Sequence, residues 1–188
     1  IHAPSGSGKT TLLKTLMGLL PPTSGEIFID GYPLKNLGQP SFRQATASVM
    51  QGDVLFTGSI KENITFFDLT PDLDKVQEAC EIACIHNDIL DAPMGYDALV
   101  GDMGSSLSAG QQQRLLIARA LYRSPSFLFL DEGTAHVDSE VEHNIMSAIK
   151  NQELTCIYVT HTPEMLRYAN KVIGWENSEF TVKETQGQ

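Results

Sequence analysis

Residues 2–11 read HAPSGSGKTT, and no other stretch limits the possible folds as strongly. Within it, Ala3–Thr10 matches the phosphate-loop pattern G-x-x-x-x-G-K-[ST] at every fixed position but the first, where Ala3 stands in place of glycine. Such a loop joins the end of a buried strand to the start of a helix. Its glycines let successive backbone N–H groups turn inward around phosphate, and the helix adds the positive end of its dipole. Lys9 is placed to reach β- and γ-phosphates and Thr10 to offer its hydroxyl to Mg²⁺, while Pro4, Ser5, Gly6, Ser7, Gly8 and Thr11 complete the cradle. A positive φ at Ala3 is expected to cost about 1 kcal/mol. Only Ile1 and His2 precede the loop, which raises the question of what strand supports it.

Downstream, helical and strand patterns alternate. Leu12, Leu13, Leu16, Met17 and Leu20 mark one helical face that Pro21-Pro22 is expected to end. GEIFIDG at 25–31 and ASVMQ at 47–51 read as strands. Residues 72–84 place Leu73, Val76, Cys80 and Ala83 on a helical stripe. Ser108 to Tyr122 and residues 138–149 read as further helices. SFLFLD at 126–131 and CIYVTH at 156–161 are apolar runs suited to strands covered on both faces. A hairpin is expected from Lys171 to Lys183, around Glu176-Asn177-Ser178. The alternation predicts a layered α/β domain on a mostly parallel sheet.

Charge narrows the partners. Thirteen Lys+Arg against twenty-three Asp+Glu give a net charge of −10, which argues against nucleic acid or an anionic membrane surface as a direct partner. An anionic ligand must then be held by local groups. Cys80, Cys84 and Cys156 lack metal-type spacing and read as small core residues in a reduced compartment, the first two sharing a helical face. No apolar run approaches the ~18 residues of a membrane span.

Two further stretches carry chemistry. FLFLDE ends an apolar strand in Asp131, suited to hold Mg²⁺ through water, and Glu132, suited to activate a water for attack on a γ-phosphate. LSAGQQQR at 107–114 has the S-x-x-Q form of a helix capping box, with Ser108 and Gln111 as its two members. Ala109 and Gly110 leave that first turn nearly bare, so the same helix end suits an anion. A cap alone and a nucleotide contact are both consistent with it.

Taken in order, these residues resemble the nucleotide-binding domain of ABC transporters. Ala3–Thr10 corresponds to Walker A, Gln51 in VMQGD to the Q-loop and LSAGQ to the signature. FLFLDE corresponds to Walker B, AHVD at 135–138 to the D-loop with Asp138, and His161 to the switch histidine. QGDVLFTGSIKENI and MGYDALVGDMGSSLSAGQQQRLLIARALYRSP look most like bacteriocin- and peptide-exporting members of the colicin V secretion type.

The resemblance implies a P-loop NTPase (RecA-like) core with a helical signature subdomain. Residues 1–50 and 125–188 would form the catalytic core, and residues 51–124 the Q-loop and helical part. It implies a head-to-tail dimer with ATP between Walker A of one chain and the signature of the other. Ser108, Ala109, Gly110 and Gln111 would act in trans, Thr10, Gln51 and Asp131 would hold Mg²⁺, and Glu132, His161 and Lys9 would be catalytic. The partners implied are a second such domain, forming a homodimer in the simplest case, and transmembrane helices, at the cytoplasmic face of a membrane. Family members also have upstream strands and an aromatic residue that stacks on adenine. The chain is therefore expected to be a piece of a longer transporter and unstable alone. Gly133, where the family usually has Ala or Pro, is expected to loosen the turn that aims Glu132. Two alternatives stay open: a nucleotide-binding module with impaired hydrolysis, and an ABC-type ATPase acting on DNA or ribosomes.

Overall fold

The computed structural model describes residues 1–100, 107–176 and 179–184. Residues 101–106, part of the stretch that carries the resemblance, and Asn177 and Ser178, where the sequence places a hairpin turn, lie outside the described residues. At the centre, three parallel strands are ordered Thr46–Val49, Phe127–Asp131, Thr155–Val159. In register, Val49 faces Leu130, and Asp131 faces Val159. The middle strand is paired on both sides and covered on both faces, which is why its sequence is a continuous apolar run.

Strand alternation sends its side chains to two cores. Leu128 and Leu130 pack with Leu115, Ile117 and Leu121 of the Ala109–Tyr122 helix, and with Ile145 and Ile149 of the Ser139–Lys150 helix. Phe129 faces the other way, onto Leu13 and Met17 around the Lys9–Leu16 helix and onto Ile1 and Val159. Helices on both faces of a parallel sheet give the layered α/β architecture that the pattern predicts.

Ile1 and His2 answer the question of support for the phosphate loop. The Ile1 nitrogen donates to the Tyr158 carbonyl at 2.6 Å, and Thr160 N–H donates back to the Ile1 carbonyl at 3.2 Å. On the other side, His2 N–H donates to the Ile173 carbonyl at 2.9 Å. These residues thus form a rung between the Thr155–Val159 strand and the Lys171–Glu176 strand. That last strand pairs with Glu179–Glu184 as the expected hairpin.

Several local expectations need correction. The first helix stops at Leu16, short of Pro21-Pro22, with Gly18 at φ +69° just beyond it. Leu20, read as part of its apolar face, is 40% exposed. The left-handed glycine past the last turn, with Leu19 N–H returning to the Lys14 carbonyl, ends the helix before the prolines can. Leu73 opens the Leu73–Ile82 helix but is exposed, whereas Val76, Cys80 and Ala83 are buried as the stripe predicts. Cys84 lies beyond that helix in a left-handed conformation, so it does not share a helical face with Cys80. GEIFIDG contributes only Phe28–Ile29, paired antiparallel with Tyr32–Pro33.

Between the first and middle core strands, the chain builds helices Ile60–Thr65, Leu73–Ile82, His86–Asp91 and Ala109–Tyr122. Periodicity does not predict the Ile60–Thr65 helix, although Ser59 and Glu62 form a full capping box there.

Candidate functional site

Parallel strands deliver their C-terminal ends to one edge, and that edge is where loops can converge on a ligand. The register Asp131–Val159 brings Glu132 level with Thr160 and places His161 one residue further on. Val49 opposite Leu130 brings Gln51 out at the same edge, in an exposed turn with Gly52 at φ +89°. The rung formed by Ile1 and His2 delivers the phosphate loop beside them, with His2 Nδ1 3.0 Å from the Thr160 carbonyl oxygen.

Within the loop, Gly6 and Gly8 have φ of +78° and +86°, a left-handed conformation that a side chain would strain. Ala3 is buried and does not take a positive φ, so the strain anticipated there is absent. Pro4, Ser5 and Gly6 are exposed, Ser7 is half-buried, and Thr11 is exposed on the first helical turn. Lys9 is buried, and its ammonium donates to the carbonyls of Ala3 and Pro4 at 2.9 and 2.8 Å. A cation is thereby stored inside the loop on acceptors that its own backbone provides. Thr10 Oγ1 donates to Asp131 Oδ2 at 2.6 Å, joining residues 121 positions apart. Asp131 is only 4% exposed.

Glu132 follows directly. It adopts φ +54°, an unfavourable conformation for a non-glycine residue and one that clusters at functional sites. Its Oε1 lies 2.8 Å from His161 Nε2. The turn behind it carries a tertiary hydrogen bond, in which the Gln113 side-chain amide donates to the Gly133 carbonyl. A Cβ at Gly133 would lie 3.1 Å from Leu130 Cβ, so glycine relieves crowding there. Thr134 Oγ1 adds a 2.5 Å hydrogen bond to buried Glu142.

The signature stretch is built as the capping box predicts. Ser108 Oγ accepts from Gln111 N–H at 3.1 Å, and Gln111 Oε1 accepts from Ser108 N–H at 3.0 Å. Ser108 and Ala109 are exposed. Gly110 has a tertiary role that sequence alone did not show: a Cβ there would lie 2.9 Å from the His136 carbonyl oxygen. The helix start therefore packs against the AHVD segment of its own chain. Asp138 caps the next helix in position but makes no side-chain capping bond and stands exposed.

Thr10 and Asp131 present hard oxygen donors side by side, the donor type that Mg²⁺ takes from proteins while keeping waters of its own. Among the described residues no group of three or more His, Cys, Asp or Glu could enclose a metal by itself. Among the described residues no helix is long and apolar enough to cross a membrane.

A family model described as "ABC transporter" matches residues 1–135. The colicin V secretion/processing ATP-binding protein of Escherichia coli is 45% identical over 173 residues, covering 92% of this chain and 25% of that protein. A probable microcin-H47 secretion/processing ATP-binding protein of Escherichia coli is 43% identical over the same shares of the two chains. The chain thus spans about a quarter of the length of these two relatives. A bacterial Atm1-family ABC exporter solved with ATP bound superposes with a TM-score of 0.86 at 31% identity, covering 95% of this chain and 32% of that one. The chain belongs to the ABC transporter family.

Proposed function

We propose that this chain is the ATP-binding and ATP-hydrolysing module of a membrane exporter, working as a head-to-tail pair, with a bacteriocin or other peptide as cargo. The observation that carries the reading is the convergence at one sheet edge of Lys9, Thr10 on Asp131, and Glu132 on His161. The names of the colicin V and microcin-H47 relatives support the cargo class.

In this reading, Lys9 leaves the Ala3 and Pro4 carbonyls for the β- and γ-phosphates, and the loop's N–H groups hold the phosphate chain. Thr10 and Asp131, with Gln51 at the same edge, would hold Mg²⁺, which when bound neutralises charge on the phosphates. Glu132 orients the attacking water and accepts its proton, and His161 fixes the Glu132 carboxylate while reaching toward the γ-phosphate. Ser108, Ala109, Gly110 and Gln111 of a second copy close the far side, and Asp138 lines the contact between copies. Residues 1–50 and 125–188 serve as the catalytic core and residues 51–124 as the Q-loop and helical part.

Exposed Val54 and Phe56 lie just after Gln51, exposed Phe66 and Phe67 pack their rings on Phe56, and Phe56 and Phe66 flank the Arg119 guanidinium at 5.3 and 5.6 Å. An apolar patch of that kind suits a membrane-embedded partner, at the cytoplasmic face of the membrane. Relaxed Ala3 and hydrogen-bonded Gly133 favour a hydrolytic site over a binding-only one. The −10 charge speaks against a nucleic-acid partner.

The test is ATP turnover of the full-length encoded protein against its Glu132→Gln variant. Turnover in the first and a loss of about 100-fold or more in the second are expected. Equal, negligible rates would contradict the hydrolytic reading.

A further inference from the structure

We infer that Asp88 is a positioning residue for the nucleotide-facing end of the Ala109–Tyr122 helix, acting through the side-chain amide of Gln111; this rests on the proposed role of Ser108–Gln111. A primary amide carries an acceptor at one end and a donor at the other, so rotating it by about 180° exchanges the two. In the capping box, Gln111 must present Oε1 to the Ser108 N–H, which it does at 3.0 Å. Its Nε2 then points the other way, where Asp88 Oδ1 accepts from it at 3.1 Å.

The flipped amide would set Nε2 against the Ser108 N–H, donor on donor, and Oε1 against the Asp88 anion. Both ends would turn repulsive together. The carboxylate thus selects the amide orientation that keeps the box closed, and with it the place of the Ser108 hydroxyl, which accepts from the Gln111 N–H.

A carboxylate near an anion-binding helix end is a liability unless its charge is balanced. Arg114, one turn further along the same helix, supplies the balance: Nη1 donates to Asp88 Oδ2 at 2.8 Å and Nη2 to Oδ1 at 3.3 Å. The same guanidinium donates to the Cys84 carbonyl, which the left-handed backbone of Cys84 presents to it. Hydrogen bonds from Arg114, with a smaller contribution from Gln111, hold the Asp88 carboxyl below its ordinary range, so it stays ionised at neutral pH. Asp88 lies on the short His86–Asp91 helix, far from Ser108 in sequence, and is tied to it by these side chains.

Asp88→Asn keeps the shape and removes the charge that orients the amide. In the full-length protein, KM for ATP is expected to rise about fivefold or more. Affinity for ADP, which reports on the Lys9 half of the site, should stay within about twofold. In a Gln111→Ala background the same substitution should change KM by less than about 1.5-fold, since its route of action is gone. Native-state hydrogen exchange gives a second reading that needs no turnover: the Ser108 and Gln111 amides should exchange about tenfold faster in Asp88→Asn, with Phe129 and Leu130 unchanged.

Wild-type KM in Asp88→Asn, effects that multiply with those of Gln111→Ala, or faster exchange throughout the chain would each overturn the inference. A wild-type protein that hydrolyses no ATP would instead overturn the functional reading on which it rests.

Discussion

The two halves of the proposed site are built on opposite physical terms. At the sheet edge, Lys9 and Asp131 are buried, Thr10 bonds Asp131 at 2.6 Å, and the strand beneath is covered on both faces. At the start of the Ala109–Tyr122 helix, Ser108 and Ala109 are exposed, and fixation comes from behind, through the capping box, Asp88 and the His136 carbonyl. Under the proposed function, the first half would bind phosphate by enclosing it within one chain. The second offers a prepared helix end that needs something brought to it. Under the proposed function, a site divided in this way would be switched by assembly of two copies.

This contrast predicts a graded series of effects. The largest belongs to the enclosed half: Lys9→Ala should lower ATP affinity by about 100-fold or more by equilibrium binding, since it removes the cation that the loop's own carbonyls hold ready. If Lys9→Ala keeps near wild-type affinity, the enclosed half is not where phosphate binds.

Two glycines come next in size of effect. Gly110→Ala forces a methyl to within 2.9 Å of a backbone oxygen that cannot rotate away, so it should cost ~1–3 kcal/mol by denaturant unfolding. Gly133→Ala brings a methyl to 3.1 Å from Leu130 Cβ, tight by a few tenths of an ångström but looser than the 2.9 Å approach at Gly110, and should cost less than Gly110→Ala. Equal costs would mean that the Gly110 approach to His136 is not a rigid constraint.

Acid stability follows with a smaller effect. The Asp88 carboxyl is held below its ordinary pKa, chiefly by Arg114, so it binds fewer protons folded than unfolded near the carboxylate range. Its contribution is present above the unfolded carboxylate value and is lost as pH falls through the depressed folded one. Asp88→Asn should therefore destabilise near neutrality and converge on wild type in acid, as melting temperature against pH would show. A constant offset across that range would contradict the ion pair.

The smallest effect concerns the helical core. Burial pushes the Cys80 thiol up to about 11, so in the native protein it should resist alkylation in mildly alkaline buffer until unfolding exposes it. Rapid native labelling, located by peptide mass, would contradict its burial beside Tyr96.

What the sequence disclosed, and what it hid, divides along the same line. Features that depend on contiguous residues were legible: the phosphate loop, the apolar FLFLD strand ending in Asp131 and Glu132, and the Ser108–Gln111 cap. Features that depend on which chain segment lies across a gap were not. Nothing local in Gly110 indicates a carbonyl from residue 136, and Ile1 reveals its place in the sheet only through Tyr158 and Thr160. Asp88 is one acid among many until the fold sets it against Gln111 and Arg114. The Ser59–Glu62 box, by contrast, was written in the sequence as S-x-x-E and announces a helix that periodicity over so few residues could not.

The most direct measurement of a site shared between two copies is cross-linking of Ser5→Cys and Ala109→Cys, introduced together into the full-length protein carrying Glu132→Gln. A cross-link between two chains is expected to form with Mg²⁺ and ATP and to fade when nucleotide is withheld. A cross-link within one chain, or one indifferent to ATP, would contradict a shared site.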